Sequence, residues 1–154
     1  MVKAIFQPEE KAMITRTILH DLPAWFGIQE ATDNYIKESQ TMPFFAYEIN
    51  QTAVGFISLK ETSPYTIEIY CMGVLKAYHH KGIGKALMRA TEDYAVSKGY
   101  HYMQVKTVES GHYENYDQTA QFYRRVGFKE LEIFKTLWDE RNPCQIFIKC
   151  LKHN

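Results

Sequence analysis

One run constrains the fold of this 154-residue chain more than any other: Val74-Leu75-Lys76-Ala77-Tyr78-His79-His80-Lys81-Gly82-Ile83-Gly84-Lys85-Ala86-Leu87-Met88. Upstream, Thr66 to Val74 carries Ile67, Ile69, Tyr70, Met72 and Val74 and reads as a strand. Downstream, Ile83, Leu87, Ala90 and Tyr94 fall at helix spacing, with Gly99 as the left-handed stop. A strand therefore feeds a helix through a short basic turn containing glycines. The first N–H groups of a helix have no intrahelical acceptor and lie at the positive end of its dipole, and glycine lets an anion approach the backbone without meeting a Cβ. From Lys76 to Thr91 the side chains add Lys76, Lys81, Lys85, Arg89, His79 and His80 and no acid. The turn is a candidate phosphate cradle; the plainer alternative is a solvated basic helix face.

Around this unit, Lys3 to Gln7 is predicted as a strand, and Pro8-Glu9-Glu10 opens a helix with Met13, Ile14, Ile18 and Leu19 inward, ending near Leu22-Pro23. Ala24-Trp25-Phe26-Gly27 reads as a turn, and Ala31 to Ser39 as a second helix with Tyr35 and Ile36 inward. Phe44 to Ile49 and Ala53 to Leu59 form a hairpin through Asn50-Gln51-Thr52, and Ser63-Pro64-Tyr65 turns into the third strand of a meander. His101 to Thr107 is a strand, Glu109 to Tyr116 a loop, and Asp117 to Val126 a helix with Thr119, Phe122, Tyr123 and Val126 on one face and Gly127 as its stop. Phe128 to Phe134 and Gln145 to Leu151 close the chain as strands. With no repeat or linker, residues 1–154 read as one α/β (α+β) domain with a mixed sheet.

Eighteen basic and 18 acidic residues balance to zero formal charge, so no whole-molecule field draws nucleic acid or an anionic membrane; neither is an expected partner. The N-terminus turns acidic before an apolar run develops, and no stretch nears the ~18 apolar residues of a membrane span. The expected compartment is cytoplasmic. Cys71, Cys144 and Cys150 include no C-x-x-C pair, and the histidines lack metal-ligand spacing, so reduced core thiols and no metal are expected.

The cradle is neither of two common phosphate loops. Walker A requires G-x-x-x-x-G-K-[ST], which is absent. The dinucleotide fingerprint G-x-G-x-x-G would need glycine where Leu87 stands. His79-His80-Lys81-Gly82-Ile83-Gly84 instead resembles the acetyl-CoA signature [R/Q]-x-x-G-x-[G/A] of the GNAT superfamily of N-acetyltransferases, with His79 at the Arg/Gln position. A second block is similar to that family's Asn-x-x-Ala, aromatic-Tyr and Gly-Phe signature: Asp117-Gln118-Thr119-Ala120-Gln121-Phe122-Tyr123-Arg124-Arg125-Val126-Gly127-Phe128, with Asp117 in place of Asn. The resemblance covers about residues 43 to 151. It implies a mostly antiparallel sheet of six to seven strands flanked by about four helices, and acetyl-CoA as cofactor; a homodimer is a candidate assembly that the residues do not select.

The resemblance also implies a site. Met72, Gly73 and Val74 would pair with the pantetheine arm through their backbone, a bulge at Gly73-Val74 exposing it. His79, His80, Lys81, Gly82, Ile83, Gly84 and Lys85 would hold the diphosphate, with Asp117, Thr119, Phe122 and Tyr123 completing the cofactor contacts. Tyr123 stands at the general-acid position; a phenol of pKa about 10 protonates a thiolate of about 8.5 uphill by roughly 2 kcal/mol, so a hydrogen bond to sulfur suffices. Otherwise Tyr123 is a core residue of its helix. An amine near pKa 10 must lose a proton before attack, and Glu68, six residues before Val74, is the candidate base, with a surface role or a water chain as the alternatives. Cys71, at an odd offset, is not expected to form an acetyl-cysteine. Trp25, Phe26, Tyr113, Tyr116 and Trp138 are candidate acceptor contacts, with Glu30, Glu109, Glu114 or Asp139 supplying charge, or else core residues. The expected reaction is direct acetyl transfer to a primary amine of a small molecule or peptide; the rivals are a non-catalytic CoA-binding module and a transferase of longer acyl groups.

Overall fold

The computed structural model describes residues 1–152. In chain order the elements are β1 (Val2–Ala4), α1 (Pro8–His20), α2 (Gln29–Ser39), β2 (Phe44–Ile49), β3 (Thr52–Ser63), β4 (Thr66–Val74), a 3-10 turn (Lys76–Tyr78), α3 (Ile83–Ser97), β5 (Tyr102–Val108), α4 (Glu114–Arg125), β6 (Lys129–Asp139) and β7 (Asn142–Cys150). Seven strands form one sheet in the order β1-β2-β3-β4-β5-β7-β6, and the pairs β1–β2, β2–β3, β5–β7 and β6–β7 are antiparallel. The chain groups into two compact units: Met1–Lys60 with Ile69–Tyr94, and Glu61–Glu68 with the residues from Ala95 onward.

In the first unit, Pro8 sits in the first turn of α1, where its missing N–H costs nothing, and Glu9 and Glu10 complement the positive helix end. Ile14, Ile18 and Leu19 are buried with Ile5, Phe44, Phe56 and Cys71. Each such side chain contributes about 1.5–3 kcal/mol on burial. Met13, expected inward, is 58% exposed; Lys11 and Thr15 are buried instead. The exchange is possible because each polar group finds an acceptor: Thr15 Oγ1 donates to Lys11 O at 2.8 Å and Lys11 Nζ to Met42 O at 2.7 Å. The opening strand is earlier and shorter than expected, since Phe6 is exposed and Gln7 is already the N-cap of α1. Asn50 and Gln51 have φ of 51° and 66°, the two left-handed residues that a two-residue hairpin with the native strand twist requires.

In the second unit, β5 and β7 pair without a break, from Tyr102 opposite Cys150 to Val108 opposite Cys144. Ala120 and Tyr123 of α4 are buried, and Tyr123 lies against the rings of Phe128 and Phe147 at 5.6 and 6.1 Å. α4 begins at Glu114 rather than Asp117, so Tyr113 is its N-cap and the expected loop is shorter by one turn. β6 runs on to Asp139 and is exposed along its whole length, with register shifts between Glu130 and Glu132 and between Phe134 and Asp139. Gly127, φ +102°, ends the α4 segment as expected.

Candidate active site

The first unit contains the strand-to-helix turn. β4 ends at Val74, the 3-10 turn spans Lys76–Tyr78, and the chain enters α3 through His80 at φ 61° and Gly82 at φ +80°. A Cβ on Gly82 would meet nothing within 4 Å, so glycine is needed there for its backbone conformation, and the side a Cβ would fill is open. The first bond of α3 runs from Ala86 N to Gly82 O at 3.0 Å; the N–H groups of Ile83, Gly84 and Lys85 precede it. No acid lies in that first turn. This arrangement fits a diphosphate: unneutralised helix N–H groups, a left-handed glycine with room beside it, and lysines at hand.

The turn is tied down at both ends. Lys76 N–H donates to Asp21 Oδ2, beside the C-terminus of α1, at 2.7 Å. His79 Nε2 lies 2.7 Å from Val74 O; a carbonyl only accepts, so Nε2 carries the proton and Nδ1 is left as the acceptor in the neutral ring. Trp25 meets the His79 ring edge-on at 6.0 Å. The nearest sequence neighbours of the glycine turn are thus held by contacts to their own unit. Lys81 Nζ stands 5.6 Å over the Tyr78 ring, and Lys85 is exposed. Ile83 contributes only backbone, since its side chain is buried and is among the atoms that a Cβ on Gly55 would crowd.

Gly73 and the strand alternation differ from expectation. A Cβ on Gly73 would come within 3.0 Å of Ile18, 3.2 Å of Leu22 and 3.3 Å of Phe56, so close packing of α1 explains this glycine. The break in alternation falls instead at Tyr70 and Cys71. Tyr70 packs on Tyr35 of α2 at 5.3 Å and donates to the Glu38 carboxylate, while the next residue, Cys71, is buried among Ile14, Ile18 and Leu19 of α1. Two successive side chains face α1 and α2, so the even count from Glu68 no longer puts it on Val74's face. Burial pushes the Cys71 thiol well above its ordinary value, which leaves it no thiolate to attack with at neutral pH. Met72 and Val74 are half-buried, as are Trp25 and Phe26, which pack against the same core.

The second unit holds the other candidates, on both faces of the β5–β7 pair. Tyr123 lies on the face of Phe147, which pairs with Val105. Glu68 lies on the opposite face, beside Gln104 and Lys106: Lys106 Nζ stands 3.1 Å and Gln104 Nε2 3.0 Å from Glu68 Oε1. Glu68, 5% exposed, is therefore no surface glutamate. Neither neighbour was found by sequence reasoning, because only the fold brings β5 beside residue 68; the alternation of Gln104 and Lys106 in their strand was the available signal.

Asp117 Oδ1 accepts from Gly111 N at 2.7 Å, and Thr119 Oγ1 donates to Asn115 O at 3.1 Å, so both side chains are used to build the start of α4. Phe122 is half-buried and meets Tyr123 edge-on at 5.5 Å. Tyr113 and Tyr116 pair at 6.0 Å, and burial together with Tyr113 raises the Tyr116 phenol above its usual value. Asp139 Oδ1 accepts from the backbone N–H of Arg141 and Asn142, each at 2.9 Å, and so shapes the β6–β7 turn; Trp138 beside it is 45% exposed. Among the described residues no group of three or more His, Cys, Asp and Glu is placed to hold a metal ion, and no helix is long and apolar enough to cross a membrane.

Residues 12–128 match the model of the acetyltransferase (GNAT) family. The chain belongs to that family, whose members take the acetyl group from acetyl-CoA. Over 77 residues it is 34% identical to the N-alpha-acetyltransferase RimI of Mycobacterium tuberculosis, a match that takes in 50% of this chain and 44% of that protein. The chain thus spans less than half the length of that relative. A GNAT-family protein from Desulfovibrio desulfuricans shares the fold at TM-score 0.86 and 16% identity, over 99% of each chain. A GNAT acetyltransferase from Elizabethkingia anophelis, solved with acetyl-CoA bound, matches at TM-score 0.70 and 19% identity, over 88% of this chain and 90% of that one.

Proposed function

We propose that this chain, acting as one catalytic domain, transfers the acetyl group of acetyl-CoA to a primary amine by direct attack. The observation that carries the reading is the open left-handed turn at Gly82 leading into an acid-free helix start, in a member of this family. The N–H groups at Ile83, Gly84 and Lys85 hold the diphosphate, and Lys81 and Lys85 add charge. Bound acetyl-CoA supplies a thioester carbonyl whose carbon accepts the amine and whose sulfur departs. Glu68 takes the proton that the amine must lose. Tyr123 donates its phenolic hydrogen to the departing sulfur as the C–N bond forms and the C–S bond breaks, and the second proton, which nitrogen sheds as the amide forms, restores the phenol. The relationship to an N-alpha-acetyltransferase supports a free α-amino group of a peptide as the first acceptor to try.

Free-thiol release from acetyl-CoA across a panel of peptide and small-molecule amines tests the reading. Tyr123→Phe should lower kcat by about a hundredfold, within the usual reach of acid catalysis, with KM for acetyl-CoA little changed. Tight acetyl-CoA binding without thiol release for every amine would overturn catalysis and leave a binding module.

A further inference from the structure

We propose that Lys106 and Gln104 are positioning residues that hold Glu68 by one oxygen, the lysine setting an opposite charge beside it, and leave the other oxygen to accept the proton; this rests on the reading of Glu68 as the base. The two donors, two residues apart on β5 and so on one face, converge on the same atom, Oε1, at 3.1 and 3.0 Å. A hydrogen bond from Gln104 fixes orientation without charge, and the ammonium of Lys106 supplies the charge. Both tasks matter because the Glu68 side chain is 7% exposed, where an unpartnered carboxylate is costly. Oε2 then has its direction set by the clamp on its twin, as proton transfer requires.

On the same face Glu132 of β6 pairs with Ile146, the residue opposite Lys106, and Cys144 of β7 lies buried opposite Val108, its thiol raised by burial, pulled down by Lys106 and pushed up by Glu68. Burial prevails and the thiol stands at about 11, so it is neutral at physiological pH and does not compete for the lysine. Lys106 itself is 35% exposed along its side chain, so its ammonium stays hydrated while it reaches inward. The pair is thus a buried carboxylate neutralised by a half-exposed cation.

The test uses two readouts. The carboxyl 13C resonance of Glu68, assigned by its loss in Glu68→Gln, is titrated in the parent protein, Lys106→Met and Lys106→Arg. The pH profile of kcat/KM for thiol release is measured with a short peptide bearing a free α-amino group. A base works deprotonated, so removing the lysine's charge should move both the midpoint of the resonance and the acid limb of the rate to higher pH, by about one unit. Lys106→Arg should restore both, a rescue that a purely structural role would not produce; Lys106→Gln replaces Lys106→Met if the latter does not fold. An unmoved midpoint in the charge-removing variant overturns the proposal, with or without turnover of that peptide. Thiol release that survives in Glu68→Gln while the midpoint still moves overturns it differently: the ion pair stands and the assignment of the base falls.

Discussion

The starts of α3 and α4 look alike in sequence, each a polar stretch with a glycine before an amphipathic helix, yet they are opposite in chemistry. Before α3 the chain passes through His80 and Gly82 in the left-handed region, and the first helical turn carries no acid. Before α4, Gly111 is also left-handed, φ +98°, but Glu114 and Asp117 occupy the first turn and Asp117 accepts the Gly111 N–H. The second helix sets acids against its own positive end; the first has none there. A helix N-terminus is an anion receptor only when its own sequence does not neutralise it.

The largest expected effect is at Gly82. Gly82→Val forces a β-branched residue to φ +80°, at about 1–3 kcal/mol, and either strains or reshapes the turn. Acetyl-CoA affinity by calorimetry should fall by about tenfold or more, with Gly82→Asn intermediate because asparagine tolerates that region; unchanged affinity would remove the turn from the cofactor site. Next comes Gly73→Val, which pushes new methyl groups toward Ile18, Leu22 and Phe56. Overpacking of this kind costs about 1–3 kcal/mol, read as a lower urea midpoint. Smallest is Asp117→Ala, which removes the bond to Gly111 and a charge at the start of α4. It should cost about 1 kcal/mol of stability and leave acetyl-CoA affinity as it was. A drop in affinity there would mean that the two helix starts are less different than their geometry says.

Much of this was legible in the residues. Thr66 to Val74 forms the expected strand to the residue, the expected hairpin closes through Asn50-Gln51 alone with Thr52 already in β3, and α3 begins one residue after Gly82. The seven strands and four helices are those that the resemblance implied. What escaped had physical reasons. Polar Glu114-Asn115-Tyr116 reads as loop because a first helical turn need bury nothing, and Met13 reads as core because periodicity does not weigh a hydroxyl bonded to the preceding turn against a thioether. The Tyr70–Cys71 break is invisible, since Tyr70 is amphipathic and fits either face. Glu68 stood out by residue type, but its partners Gln104 and Lys106 lie on a distant strand, and only chain topology brings them to it.

Strand β6 carries a last consequence. It stands at the end of the sheet with Leu131, Ile133, Phe134, Leu137 and Trp138 all open to water, the composition of a template onto which a second extended chain would readily add. The two register irregularities keep it from being flat, and Lys129, Glu130, Glu132 and Lys135 put charge beside the apolar residues. Kinks and charges of this kind guard a sheet rim against self-templated polymerisation, so straightening β6 or exchanging its charges for apolar residues would trade solubility for fibre formation.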